Sequence, residues 1–364
     1  MGKEVISNKQ FVSLITVIAI ASPILYIPKA VTSTANRDGW YVVLIAGFFG
    51  MINALVILWL EKQFPGKNLM EINRILLGRF IGGLLNFVFI LYFIDLCTWV
   101  LREFTEFLLI TVEPTTPFYV YVTIGMILAS FTAFHGLEVF ARVSEIIFPI
   151  VFGIYLLVFC LLLNQYHPEN LLPVLENGVV KPLKGMLETE TLFGDIMIIL
   201  MITNHVRKDQ NTQKYLMMSM GWSTIFICAS VVASIMDFGA ETTSTLTYPT
   251  FTLIQDINIA NILDRIDILV VAIWILGVYV KFTSYFFGAV YGISTALQLK
   301  NYRVVILPIA LAMIVITKWK VPNFIQISTI YSQNAWYFAL FQIGIPSALL
   351  LLAILRKKLI KKPT

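Results

Sequence analysis

The sequence predicts an all-α polytopic membrane protein, and three observations carry that prediction. Of 364 residues, 58% are hydrophobic and 13% charged, with a mean hydropathy of +0.83. Soluble domains carry about a quarter charged residues. The apolar residues are gathered into ten separate runs, each long enough or nearly long enough to cross a hydrocarbon layer of about 30 Å. The lysines and arginines are unevenly placed, with most in the segments that alternate spans put on the N-terminal side. By the positive-inside rule that side is cytoplasmic, and so are both termini. The net charge of +5 therefore reflects loop topology, and it gives no reason to expect nucleic acid as a partner.

The ten expected spans are roughly 10–34, 40–61, 79–112, 117–135, 141–165, 187–206, 214–239, 265–298, 303–318 and 332–356. The first is read as a retained span, because no small-residue cleavage site closes it. It also contains Ala21-Ser22-Pro23-Ile24-Leu25-Tyr26-Ile27-Pro28, with two prolines five residues apart. A proline has no N–H, so Pro23 deprives the carbonyl of Ala19 of its helical donor and Pro28 that of Ile24. In hydrocarbon such carbonyls must face protein, water or a ligand. The stretch is therefore either a broken helix that builds a binding site or a packed proline kink.

Between spans two and three, Asn68 to Leu76 places apolar residues at 69, 72, 75 and 76, which is helical spacing. A short amphipathic helix over about 68–78 on the cytoplasmic side is expected. Two longer outer segments, 166–187 and 241–264, carry apolar residues at helical spacing and are expected to fold down as lids or re-entrant pieces.

Spans three and eight are both unusually long. Each is third in a group of five, and each is followed by a short span. Five is odd, so two such groups in tandem lie in the membrane with opposite orientation. This is the five-plus-five inverted repeat of LeuT-like transporters, with the site near the midplane where the first helix of each repeat is broken. The whole chain, 1–364, is then one transmembrane domain, with repeats over about 10–165 and 187–356. Span six, the partner of span one, reads Thr191-Leu192-Phe193-Gly194-Asp195-Ile196 and is expected to be interrupted as well.

Three ionisable residues fall near the centres of spans: Asp95, Asp195 and Lys281. Such residues are costly in a bilayer and usually mark a site. In the inverted-repeat plan they line one cavity, and the alternative is a structural ion pair. Asp95, Trp99, Arg102 and Glu106 are spaced 4, 3 and 4 and share one face of span three. That stripe is either the wall of a water-accessible path or, for Arg102, Glu103 and Glu106, a solvated outer end. Thr283 and Ser284 follow Lys281. Their hydroxyls are available to a ligand or to their own helix. A lysine beside them disfavours a sodium ion, so the proton is the better coupling ion. No metal-spaced set, phosphate-binding loop or nucleophile–base pair is present, so no cofactor, metal or enzymatic activity is expected.

Several motifs together resemble a known family. Tyr26-Ile27-Pro28-Lys29-Ala30 precedes Ala35-Asn36-Arg37-Asp38-Gly39-Trp40. Asn170-Leu171-Leu172-Pro173-Val174-Leu175 with Gly178 lies in the outer loop. Phe193-Gly194-Asp195, Tyr248-Pro249-Thr250, and Arg265-Ile266-Asp267 with Trp274 complete the set. In order and spacing the chain resembles the B subunits of bacterial spore germinant receptors, the endospore germination permeases of the amino acid–polyamine–organocation transporter superfamily. The resemblance implies an inner-membrane protein of the dormant spore. It would act with an A-type subunit and a C-type lipoprotein subunit and trigger germination on binding a nutrient such as an amino acid, sugar or nucleoside. It implies a binding site formed by Ala21, Ser22, Pro23 and Ile24 with Asp95, Trp99, Phe193, Gly194, Asp195, Lys281, Thr283 and Ser284. A proton-coupled amino acid permease of the plasma membrane and a gated conduit for water or ions are the alternatives. The chain departs from the Gly-x-Gly pattern of many relatives at Ala21-Ser22-Pro23. Pro23 removes an N–H there, so the open groups of span one are expected to be carbonyl acceptors.

Overall fold

A computed structural model describes residues 5–176, 178, 189, 193–202, 205–206, 212–256, 266–320 and 333–360. The sequence-based expectations for 179–188, 190–192, 203–204, 207–211, 257–265 and 321–332 lie outside the described residues, Thr191, Leu192 and Arg265 among them. Within the described residues the chain is helical, with one isolated parallel bridge between Ile6 and Val206. Among the described residues, eight helices are long and apolar enough to cross a membrane. One of them, Pro23–Gln63, passes through a tight turn at Asn36–Asp38 and holds the second half of span one together with span two. Adding the shorter Asn8–Ile20 and the segment 194–202 accommodates the ten expected spans.

Span one sits at the centre. Ser7 caps Asn8–Ile20 through a reciprocal capping box with Gln10. Every residue from Phe11 to Ile20 is buried, as expected for a helix that is apolar all round. A second helix starts at Pro23. Ala21 and Ser22 between them keep right-handed helical angles (φ −53°, ψ −52° and φ −82°, ψ −50°). The break is thus a loss of hydrogen bonds with little change of backbone path. Pro23 supplies the φ that a first helical residue needs and lacks a donor no partner would have met.

The short helix before span three is set off by Gly78, whose φ of 81° is inaccessible to most residues. Asn68 caps it, and Asn86 holds it against span three by donating to the Met70 carbonyl and accepting from Asn73, both at 2.9 Å. Gly82 permits this approach, since a Cβ there would lie 2.6 Å from the Asn73 carbonyl oxygen. Spans three and eight pack along their length. Gly288 meets Phe93 and Ile198, and Gly292 meets Met70, Ile90 and Met201, so these two glycines mark close helix packing.

The first repeat's outer turn is tied to the loop that follows span five. Arg37 donates to the Leu172 carbonyl, and Asp38, only 3% exposed, accepts from the Leu175 N–H at 2.8 Å. Two of the motifs noted in the sequence are thus the two halves of one clasp. Span seven continues past a break at Gly239 (φ 73°) to Thr245, and a short helix, Pro249–Gln255, then packs on the second half of span one. Span ten opens into a π-helical turn over Leu340–Gly344. Pro346 accounts for it, because its ring excludes the normal bond to the carbonyl of Gln342.

Candidate functional site

Span six supplies the centre of the site. Gly194–Ile198 winds as a 3-10 helix before one α-helical turn over Ile199–Ile202. Phe193 is fully buried, and it packs on Gly50 of span two, where a side chain would collide with it. Gly194 lacks the Cβ that would strike the Gln342 side chain. That close approach lets the Gln342 amide donate to Asp195 Oδ1 at 3.3 Å. Asp195 Oδ2 pairs with Lys281 Nζ at 2.8 Å, both side chains being more than nine-tenths buried. Gly277, one turn before Lys281, faces Ala21 and Val17, so span eight lies directly against the break in span one.

Glu103 joins this group. It is 9% exposed, it faces Ser22, and it lies in the field of both Lys281 and Asp195. Its Oε1 atom and Gln342 Oε1 are buried with no hydrogen-bond partner among the described residues, while the Ser22 hydroxyl is placed to donate to the Glu103 carboxyl. Unpaired buried polar atoms are uncommon in native proteins, and each asks for an explanation. Here both open atoms are acceptors, two carboxyl groups face one ammonium, and all lie where spans one, three, six, eight and ten meet. On the loop side an aromatic cluster closes over them. Trp274 lies 4.2 Å from Phe107 between ring centroids, and Phe107 also touches Tyr248 and Phe251.

The carbonyl freed by Pro28 has a protein donor. Thr250 Oγ1 donates to Ile24 O at 2.6 Å, and both residues are buried. The carbonyl-acceptor character expected of span one is thus met at this position by the Tyr248-Pro249-Thr250 motif rather than by open space. Ser284 donates to the Val280 carbonyl of its own helix at 2.7 Å, and Thr283 is buried beside Tyr279.

The structure sets Ala21 against Gly277, one turn from Lys281, and Ser22 against Glu103, binds Ile24 to Thr250, and gives Asp95 and Trp99 a different partner. Lys320, at the end of span nine, donates to Asp95 Oδ1 and to the Asp95 carbonyl, each at 2.6 Å, and to Thr98 at 3.1 Å. Its ammonium lies 4.7 Å from the Trp99 ring centroid. The sequence-based grouping of Asp95 with Lys281 is corrected on this point, since the register between spans three and nine puts a closer cation beside it. The reading of Arg102 and Glu103 as a solvated outer end is corrected as well. Arg102 is 5% exposed, pairs with Glu106 along the helix and lies over the Phe118 ring at 4.6 Å. Glu103 and Gln342 are the two site residues the sequence reading did not single out. Among the described residues no group of three or more histidines, cysteines, aspartates and glutamates is placed to hold a metal ion.

A helical membrane protein with two interrupted helices crossing at a buried ion pair is a transporter-type fold. Comparison with solved structures agrees. The chain superimposes on Mhp1, a nucleobase-cation-symport-1 family transporter in a closed conformation with bromovinylhydantoin bound. The TM-score is 0.69 at 13% identity, over 95% of this chain and 78% of that one. The chain belongs to the spore germination protein family of permeases, whose sequence model matches residues 5–325. It is 27% identical to spore germination protein KB of Bacillus subtilis (strain 168) over 98% of this chain and 97% of that protein. It is 26% identical to spore germination protein B2 of the same organism over 80% of each.

Proposed function

We propose that this integral membrane protein is the germinant-sensing B subunit of a nutrient receptor. In this reading it sits in the spore inner membrane with both termini in the cytoplasm and works with A-type and C-type lipoprotein subunits. The nutrient binds at the break in span one. The observation that carries the reading is the buried Lys281–Asp195 pair beside the unpartnered acceptors Glu103 Oε1 and Gln342 Oε1. A ligand offering several donors would satisfy these atoms. Its amine or hydroxyl groups would meet Glu103 and Gln342, and Lys281 would be available to an acidic group.

The test is germination of spores lacking this chain against single nutrients. Loss of the response to one nutrient with the others intact is expected; normal behaviour towards every germinant rules the reading out. In the same assay Lys281→Ala and Asp195→Ala each alter that response while the protein remains in the membrane.

A second reading is a proton-coupled amino acid permease of the plasma membrane. It is favoured by Glu103, a carboxyl of span three buried beside Ser22 at the break in span one. Uptake of radiolabelled amino acid by the lone chain in vesicles, driven by a pH gradient, decides for it. Amino acid binding without uptake decides for the receptor.

A further inference from the structure

A cavity lies apart from the ion pair, between span five (Leu137–Leu161), span seven and the short helix Pro249–Gln255. Its volume is about 240 Å³, and its wall includes Phe152, Tyr155, Tyr166, Phe226, Ala233 and Leu253. Three of the rings meet edge to face, with Phe226 5.5 Å from Tyr155 and 6.1 Å from Phe152. Apolar cavities of about 150 Å³ already bind benzene and stay dry.

The rim and the floor differ. Leu156 and Ile225 at the rim are 55% and 58% exposed on surfaces that face lipid in a spanning protein. Leu253, Ile254 and Thr250 at the floor are buried. Entry is therefore from hydrocarbon. One polar atom in the wall is unanswered. Tyr166 is 9% exposed, and its hydroxyl has no hydrogen-bond partner among the described residues. A buried phenol ordinarily finds one. Thr250 lines the same cavity and holds the Ile24 carbonyl at the break in span one.

We propose that this cavity is a second binding site. It takes a short aliphatic or single-ring molecule bearing one hydrogen-bonding oxygen, which enters from the bilayer and acts on span one through Thr250. A free amphiphile such as a medium-chain alcohol has this chemistry, whereas the methyl end of a phospholipid chain leaves the Tyr166 hydroxyl unanswered.

The experiment uses the full chain in phosphatidylcholine vesicles with a diazirine-bearing octanol as photolabel. Label is expected on residues 152–166, 225–233 and 250–254. Ala233→Trp, which fills the space, abolishes it there. Tyr166→Phe weakens octanol binding about three- to tenfold, the loss of one hydrogen bond, and leaves octane unaffected. Displacement of label by excess n-octanol identifies a free amphiphile as occupant. A phospholipid retained in native mass spectrometry, released by Ala233→Trp and not displaced by n-octanol overturns the oxygen-bearing ligand in favour of a lipid tail. Label spread evenly over all lipid-facing helices, and unchanged in both variants, overturns the site. For the link to span one, n-octanol is expected to change amide hydrogen exchange over residues 21–27 in the native chain and not in Thr250→Val. An unchanged exchange pattern in the native chain overturns that link.

Discussion

At Lys281 and Asp195, two opposite charges are held 2.8 Å apart with almost no contact with solvent. Removing one partner of a buried pair strands the other, at a cost of about 3–5 kcal/mol, whereas an apolar pair of similar volume is often neutral. Lys281→Met and Asp195→Leu are each expected to lower the thermal midpoint of the purified protein. The double variant is expected to recover most of that loss. If the pair serves the ligand, the double variant still fails to respond to nutrient. A double variant restored in both stability and response would make the pair purely structural. Gly194 is a second test at this scale. Gly194→Ala pushes the Gln342 side chain off Asp195. Overpacking of this kind costs about 1–3 kcal/mol, read by the same thermal measurement, and the response weakens with it.

The residues differ in how readable they were. Asp195 and Lys281 announce themselves because a charge inside an apolar run is expensive wherever it points. Glu103 does not, since it sits beside Arg102 and Glu106 and resembles part of a wetted helix end. Only the packing of span three on spans one and eight shows it buried. Asp95 was legible as a buried charge but not as the partner of Lys320, because register between two helices is not written in either one alone.

At the scale of elements, proline explains most of the irregular geometry. Pro23 divides span one, Pro28 frees the carbonyl that Thr250 fills, and Pro346 produces the wide turn of span ten. The first two were legible in the sequence. The third was not, because a single proline in a long apolar run has no fixed consequence until a neighbour uses the space. Here the wide turn presents Gln342 to Asp195. Pro346→Ala restores the missing N–H and is expected to close the turn and withdraw Gln342. Protein level should stay normal while the nutrient response falls. A normal response would show that the π-helical turn is not needed for the site. The helix pair Asn8–Ile20 and Pro23–Ala35 makes the complementary point: the break was foreseeable, but its nearly straight path was not.

For the molecule as a whole, the repeat was legible from parity, since five apolar runs before span six reverse the orientation of the second five. The clasp between Arg37-Asp38 and the 172–175 loop was visible only as two separated motifs, and it became a contact once the outer loops were placed. On the opposite side, the Ile6 N–H donates to the His205 carbonyl at 2.8 Å, which makes the parallel bridge. That bridge lets the start of the chain hold the end of span six.

The bridge therefore fastens two levers at the same end. Asn8–Ile20 leads directly to Ser22, and the segment before Val206 leads back to Asp195. Ser22 and Asp195 thus lie on two segments joined at Ile6 and Val206, and Asp195 is held in turn to Lys281 of span eight. Joining Ile6→Cys to Val206→Cys by a disulfide is then expected to leave the nutrient response intact, because it fixes a contact the fold already makes. A cross-link that abolished the response would mean that this bridge has to open.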